Sequence, residues 1–236
     1  MDMVIDVHTH TVASGHAYST VKEYVQSAKQ KGITHFAITD HGPAMPGASG
    51  LFHFYNLNTI PKYMDGVRIY KGIELNIIDK NGNHDYTEAM LHKLDIVIAS
   101  LHTPCIKSGT REENTTAAIE IMKNPHVNIL GHPGDSSFPI NIEPLLKAAM
   151  ETKTILEINN KSLEPGSLRD DRDTVRQIAL ACKAANYPIV LGSDAHIDLD
   201  IGKFNYCNEL LKEINMPHHL VLNTDVLRFE RTLGLI

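Results

Sequence analysis

Seven short runs of aliphatic and β-branched residues recur along the chain, and each is followed by a stretch with helical periodicity. The runs are residues 4–7, 35–38, 69–78, 96–101, 128–131, 155–158 and 188–192. The helical patterns fall at 21–31, 58–64, 86–93, 112–123, 142–152, 174–185 and 204–214. Two helices open with Thr-x-x-Glu boxes, Thr20 with Glu23 and Thr110 with Glu113, and the first closes on Gly32. Seven such units in 236 residues leave about 34 residues each, the length of a strand, a crossover helix and two loops. The strands read as near-continuous apolar runs, which is the pattern of a parallel sheet covered on both faces. Two α/β architectures satisfy this, an open doubly wound sheet and a closed parallel barrel. An open sheet gathers its ligand at one switch point, whereas a barrel gathers residues from every strand at its C-terminal rim.

Histidine decides between them. The chain has 14 histidines but three cysteines and no tryptophan. His8 and His10 follow the first run as Asp6-Val7-His8-Thr9-His10, and His16 comes six residues later. Asp40-His41 follows the second run, Glu74 lies in the third, and His102 and His132 end the fourth and fifth. Asp194 and His196 follow the seventh. The sixth offers Glu157, Asn159 and Asn160. Seven histidines and two carboxylates thus stand at six of seven strand ends, a distribution that points to the rim of a barrel. Burying so many imidazoles together leaves donors and acceptors in conflict unless a cation reconciles them. His35, His53, His84, His92, His126, His218 and His219 lack this placement and read as structural or solvated; of these, His53 follows a Gly-rich loop from which it can reach the site.

Imidazole and carboxylate without thiolate suit zinc, manganese or iron. Nine donors exceed one tetrahedral ion and fit two or three. Three divalent ions with two carboxylates leave such a site strongly positive, so its substrate is expected to be anionic. A coordinated water of lowered pKa supplies the nucleophile, and neighbouring ions clamp the oxygens of a phosphoryl group, so no protein nucleophile is needed. Lys107, Arg111, Lys161 and Arg169 stand in strand-end loops as candidate phosphate contacts, with Asn159 as a neutral substrate contact. The Gly-Ala-Ser-Gly segment at 47–50 lacks the spacing of a phosphate-binding P-loop.

The remaining composition sets limits. A net charge of −6, with 22 basic and 28 acidic residues, disfavours a stable nucleic-acid complex. Cys105, Cys182 and Cys207 form no CxxC pair and read as free thiols of a reducing compartment. No apolar run approaches a membrane span, and the N-terminus has no basic signal region. A cytoplasmic, single-domain protein spanning 1–236 is expected.

The motifs resemble the PHP (polymerase and histidinol phosphatase) superfamily. They are Asp6-Val7-His8-Thr9-His10 with His16, Ile38-Thr39-Asp40-His41-Gly42, Gly72-Ile73-Glu74, Ser100-Leu101-His102, Gly131-His132-Pro133 and Gly192-Ser193-Asp194-Ala195-His196. The segments 11–20, 37–43, 156–160 and 191–196 are similar to its YcdX-like phosphatase branch. The resemblance implies a distorted (β/α)7 TIM-like barrel with three divalent ions at the strand C-termini, zinc in most members and manganese or iron in others. It assigns His8, His10, Glu74 and Asp194 to one ion, Glu74, His102 and His132 to a second, and His16, His41 and His196 to a third. Glu74, Asp194 and His196 then carry the catalytic role, while Asp40 is expected to orient a ligating imidazole.

The activity implied is hydrolysis of a small phosphomonoester by a metal-bound hydroxide. A phosphodiesterase or nuclease and a histidinol-phosphate phosphatase are the alternatives within the superfamily, and a metal-binding module without turnover is the alternative outside enzymes. Amidohydrolases share the HxH strand end but want a lysine at a middle strand end, where this chain has none. Relatives in the branch imply self-association as a trimer. Residues 222–233 are expected to close the last gap of the barrel as a capping helix.

Overall fold

The computed structural model describes residues 2–236 and contains one mainly parallel sheet wrapped by helices. Its strands are β1 (Ile5–Asp6), β2 (His35–Ile38), β3 (Tyr63–Met64), β4 (Val67–Asn76), β5 (Ile96–Ser100), β6 (Ile129–Leu130), β7 (Ile155–Asn159) and β8 (Ile189–Gly192). The order β1-β2-β4-β5-β6-β7-β8 is parallel throughout, and β3 is an antiparallel flap on β4. The crossovers carry α1 (Val21–Lys31), α2 (Leu51–Tyr55), α3 (Glu88–Leu91), α4 (Arg111–Met122), α5 (Ile142–Thr152), α6 (Arg172–Ala184) and α7 (Asn205–Glu213). The last helix is α8 (Val226–Leu233). This is the distorted seven-stranded barrel implied by the family resemblance, and the barrel to which the strand-end pattern points.

Local chemistry sets the helix ends. At α4 the Thr110 hydroxyl accepts from Glu113 N (3.2 Å) while the Glu113 carboxylate accepts from Thr110 N (3.0 Å). At α1 Glu23 accepts from Thr20 N (2.6 Å), and Gly32 ends the helix in the left-handed region at φ 75°. The helix expected over 58–64 does not form. Pro61 lacks an amide donor and pushes Ile60 to extended backbone (ψ 124°), so a 3-10 turn at Asn56–Thr59 leads into β3 instead.

Strand alternation separates two apolar layers. Ile69, Ile73, Leu75, Val97, Ala99, Leu156 and Ile158 pack outward against the helices. Ile5, Ala37, Tyr70, Ile96, Ile98, Ile129, Ile155 and Val190 fill the barrel floor together with Leu222, Phe229 and Leu233, so α8 plugs the end opposite the rim. Positions on the floor-facing register continue upward as Glu74 from Tyr70, Ser100 from Ile98, and Glu157 and Asn159 from Ile155. The candidate site groups therefore gather in the upper layer of the barrel, above the apolar floor.

β8 and β1 are not joined by a ladder. Near the rim a single bridge pairs Thr9 with Ala195, and His10 N donates to Ala195 O (2.8 Å). Below it, fully buried Asn223 fills the gap as a surrogate strand residue. Its Nδ2 donates to Ile5 O (3.0 Å) and Leu191 O (2.8 Å), its Oδ1 accepts from Leu191 N (2.7 Å), and its own carbonyl accepts from Val4 N (2.9 Å). Closure at 222–224 agrees with the role expected of this segment. Among the described residues no helix is long and apolar enough to cross a membrane.

Asn223→Ala removes three side-chain hydrogen bonds from the closure and is expected to lower the unfolding free energy by about 3 kcal/mol, at about 1 kcal/mol per bond. Urea denaturation measures it. A loss below about 1 kcal/mol would show that packing alone holds β1 against β8.

Candidate metal centre

The rim brings all nine predicted donors together. Glu74, wholly buried, is the centre: its Oε1 lies 3.3 Å from His8 Nε2, 3.3 Å from His102 Nε2 and 3.1 Å from His132 Nε2. Its Oε2 lies 3.4 Å from His10 Nε2 and 2.7 Å from His41 Nδ1. Asp194 Oδ1 stands 3.2 Å from His10 Nε2 and 3.8 Å from His8 Nε2. His16 Nε2 faces His196 Nε2 at 3.1 Å, and the His16 and His41 rings stack at 5.1 Å. Three triads have donor atoms within 4.8 Å of one another: His8–His10–Asp194, His41–Glu74–His102 and His10–His41–His196.

These spacings fit divalent ions. Donors held at about 2.0–2.1 Å by one tetrahedral ion stand about 3.3 Å apart, close to the separations around Glu74. Among the described residues several donors also lack a hydrogen bond despite these close approaches: His8 Nε2, His10 Nε2, His41 Nδ1 and Glu74 Oε2 are buried without one. Asn76 Oδ1 accepts from His102 Nδ1 (2.8 Å) and the Asp194 carbonyl accepts from His196 Nδ1 (3.0 Å), so both rings turn the lone pair of Nε2 toward a neighbouring imidazole nitrogen. A shared cation resolves each of these encounters.

Electrostatics agree. Burial holds His10, His41, His102 and His132 below the ordinary histidine range, and pushes His196 down to about 3, leaving neutral rings able to ligate. Burial would raise the Glu74 carboxyl, but His8, His102 and His41 outweigh it and keep it ionised. At His8 burial opposes charge, yet Glu157 and Glu74 overcome it and raise the imidazole to about 10. Two carboxylates thus draw positive charge to this position.

The support around the donors includes residues that the sequence pattern did not assign. Glu157 is fully buried, with Oε1 2.7 Å from His8 Nδ1 and Oε2 accepting from His132 N (2.6 Å). A Cβ at Gly192 would overlap the Glu157 carboxylate, so glycine at the end of β8 is what lets Glu157 reach His8. Asn76 is held in turn by Asp85, which accepts from Asn76 N (2.9 Å) and Nδ2 (2.5 Å) and from Ala44 N (2.7 Å). Ser14 Oγ lies 3.1 Å from His10 Nδ1, accepts from His41 N (3.1 Å) and donates to Asp40 (2.7 Å). His132 (φ 28°) and Asp194 (φ 55°) occupy the left-handed region, a strain tolerated where the surroundings over-determine the backbone.

Several expectations are corrected. Asp40 contacts no candidate ligand ring; it binds Thr11, Ser14 and His53, and reaches His10 only through Ser14. His53 accordingly braces Asp40 (3.1 Å) and is not in the cleft wall. Arg111 turns its guanidinium onto Ile140 O (2.5 Å), and Lys107 is exposed, so neither lines the site. Asn159 is buried behind Asp194, with Nδ2 3.4 Å from Asp194 Oδ2 and 3.2 Å from Glu157 Oε2. Lys161 does line the cleft, paired with Glu164 (3.2 Å) and Asp200 (3.6 Å), and Arg169 lines it while paired with Asp194.

The donors open into a cleft of about 550 Å³ whose walls include His16, His41, His102, Asp194 and His196. The PHP domain family model matches residues 6–165, a span holding seven of the nine donors. The chain belongs to the PHP domain family. A probable phosphatase of Acetivibrio thermocellus is 47% identical over 230 residues, covering 98% of this chain and 95% of the relative. A probable phosphatase of Clostridium botulinum (strain Hall) is 44% identical over 237 residues, covering 99% and 97%. The histidinol phosphate phosphatase of Lactococcus lactis, solved with zinc, L-histidinol and phosphate, superposes with a TM-score of 0.60 at 17% identity over 91% of this chain and 95% of that one. At that identity the likeness establishes the shared fold. Membership and the near full-length relatives make this PHP protein a hydrolase of the phosphatase class.

Glu157→Gln and Asn76→Leu each unfix one ligand ring and are expected to lower metal affinity about 10–100-fold, read by competition with a chromophoric chelator. Equal affinity in wild type and both variants would show that these contacts serve packing alone.

Proposed function

We propose that this metal-dependent phosphatase is a phosphomonoesterase acting on a small phosphorylated substrate at a three-ion centre, zinc being the expected metal. The observation that carries the reading is the convergence of nine imidazole and carboxylate donors on the cleft floor, with Glu74 shared by five imidazoles. His8, His10, Glu74 and Asp194 would hold one ion, Glu74, His102 and His132 a second, and His16, His41 and His196 a third. Ions bound there lower the pKa of a coordinated water to about 7 and neutralise phosphoryl oxygens.

The chain's own groups do the remainder. Glu157, Asn76 and Ser14 fix the ring orientations of His8, His102 and His10. Arg169, paired with Asp194, and Lys161, paired with Glu164 and Asp200, stand in the cleft wall where donors can meet an incoming anion. The cysteines do not supply a nucleophile: burial pushes Cys105 up to about 11 and Cys182 up to about 12, and holds Cys207 well above the ordinary thiol range, so each stays protonated at neutral pH. The net charge of −6 favours a small ester over a polynucleotide.

The test is elemental analysis of chelator-free protein together with phosphate release from a panel of phosphomonoesters and a single-stranded oligonucleotide. About three ions per chain, turnover of monoesters, and loss of both in His8→Ala are expected. Faster cleavage of the oligonucleotide would replace this reading with a nuclease, and zero or one ion without turnover on adding zinc or manganese would remove it.

A further inference from the structure

Among the described residues the cleft wall contains one carboxylate that no cationic side chain pairs with. Asp135 lines the cleft with only 7% of its surface exposed. Its Oδ1 accepts from Ser137 N (2.8 Å), closing a tight turn. Among the described residues its Oδ2 receives no hydrogen bond, and no lysine, arginine or histidine forms an ion pair with the carboxylate. The two cations of the same cleft are each matched already, Lys161 by Glu164 and Asp200, and Arg169 by Asp194. Asp135 is therefore the unmatched acceptor in the wall, and its Oδ2, which keeps some exposure to the cleft, is free to accept from a ligand.

The turn that carries it is built to stay in place. Asp135 N donates to the carbonyl of His132 (3.1 Å), and Phe138 N donates to the carbonyl of Asp135 (3.0 Å). Phe138 is buried below the turn, and a Cβ at Gly134 would strike Val175 of α6. Asp135 is thereby fixed one turn beyond the candidate ligand His132, in the lining of the same cleft as His102, Lys161 and Arg169.

We propose that Asp135 is a specificity-determining residue that selects phosphomonoesters whose alcohol portion carries a hydrogen-bond donor, a hydroxyl or an ammonium group. The inference rests on the phosphomonoesterase reading. Phosphate is drawn to the positive floor, and the free Oδ2 accepts from the donor on the departing alcohol. An ester with a plain alkyl group leaves that oxygen unanswered, and sites that expect a donor discriminate against analogues lacking it.

The experiment uses the metal-loaded full chain and matched pairs of phosphomonoesters two to five carbons long: alkyl phosphate, ω-hydroxyalkyl phosphate and ω-aminoalkyl phosphate. At one chain length or more, kcat/KM is expected to favour a donor-bearing ester over its alkyl partner by about 10- to 100-fold. Asp135→Asn, whose amide can still close the turn to Ser137, should shrink the preference, and Asp135→Ala should bring it close to one. Because the readout is a ratio within each protein, partial loss of active enzyme does not affect it. Calorimetric binding of the corresponding alkyl- and hydroxyalkylphosphonates should show the same ratio without turnover. A larger preference for amino than for hydroxyl esters assigns an ammonium substrate, and the reverse a polyol phosphate.

A wild-type preference near one at every length, or a preference that survives in Asp135→Ala, would overturn the inference while leaving the phosphomonoesterase standing. Hydrolysis of no phosphomonoester at all would overturn both.

Discussion

A single buried carboxylate, Glu74, organises the upper half of this barrel. Five imidazoles from four strand ends approach it between 2.7 and 3.4 Å, and no solvent reaches it. An arrangement of that density is stable only if charge is balanced and each ring is turned the right way. The longest strand of the barrel, β4, places it: Tyr70 on the same face belongs to the apolar floor, and Glu74 stands four residues higher, where the floor gives way to the rim. Filling the lower barrel with Ile96, Ile98, Ile129, Ile155 and Phe229 leaves the polar groups only one place to collect.

Around that centre, orientation is enforced from outside. Glu157, Asn76 and Ser14 each contact the outer ring nitrogen of a different histidine, and two of the three are themselves held by a further carboxylate, Asp85 or Asp40. Asp85 also binds the amide of Ala44, so the segment that brings Met45 and Pro46 to the cleft is tied to the residue that orients His102. Rigid placement of this kind is what metal-assisted hydrolysis requires, because donors must be in position before ions and substrate arrive.

Much of this was legible in the sequence. The seven parallel strands, both capped crossover helices and the convergence of the nine candidate donors follow from β-branched runs, Thr-x-x-Glu boxes and histidines at strand ends. The supporting residues were harder to read because nothing local distinguishes them. Asn76 shares the face of Glu74 two residues on, and Glu157 shares that of Ile155, so period-two alternation marks both as inward-facing, but only the tertiary neighbours reveal what they bind. Asp40 illustrates the opposite error: its place beside His41 suggested direct contact with a ligand ring, whereas Ser14, four residues beyond His10, intervenes. Basic residues were the least legible. A long side chain in a loop turns toward the site or away from it according to packing, and Arg111 turns away while Arg169 turns in.

The account stands on Glu74 as the shared ligand of a cluster. The direct measurement is a crystal structure of chelator-free protein with anomalous difference maps collected on both sides of the zinc, iron and manganese edges. Three peaks within the nine-donor set are predicted, two of them touching the Glu74 carboxylate. One peak alone, or peaks that leave Glu74 bound only to protein, would contradict it.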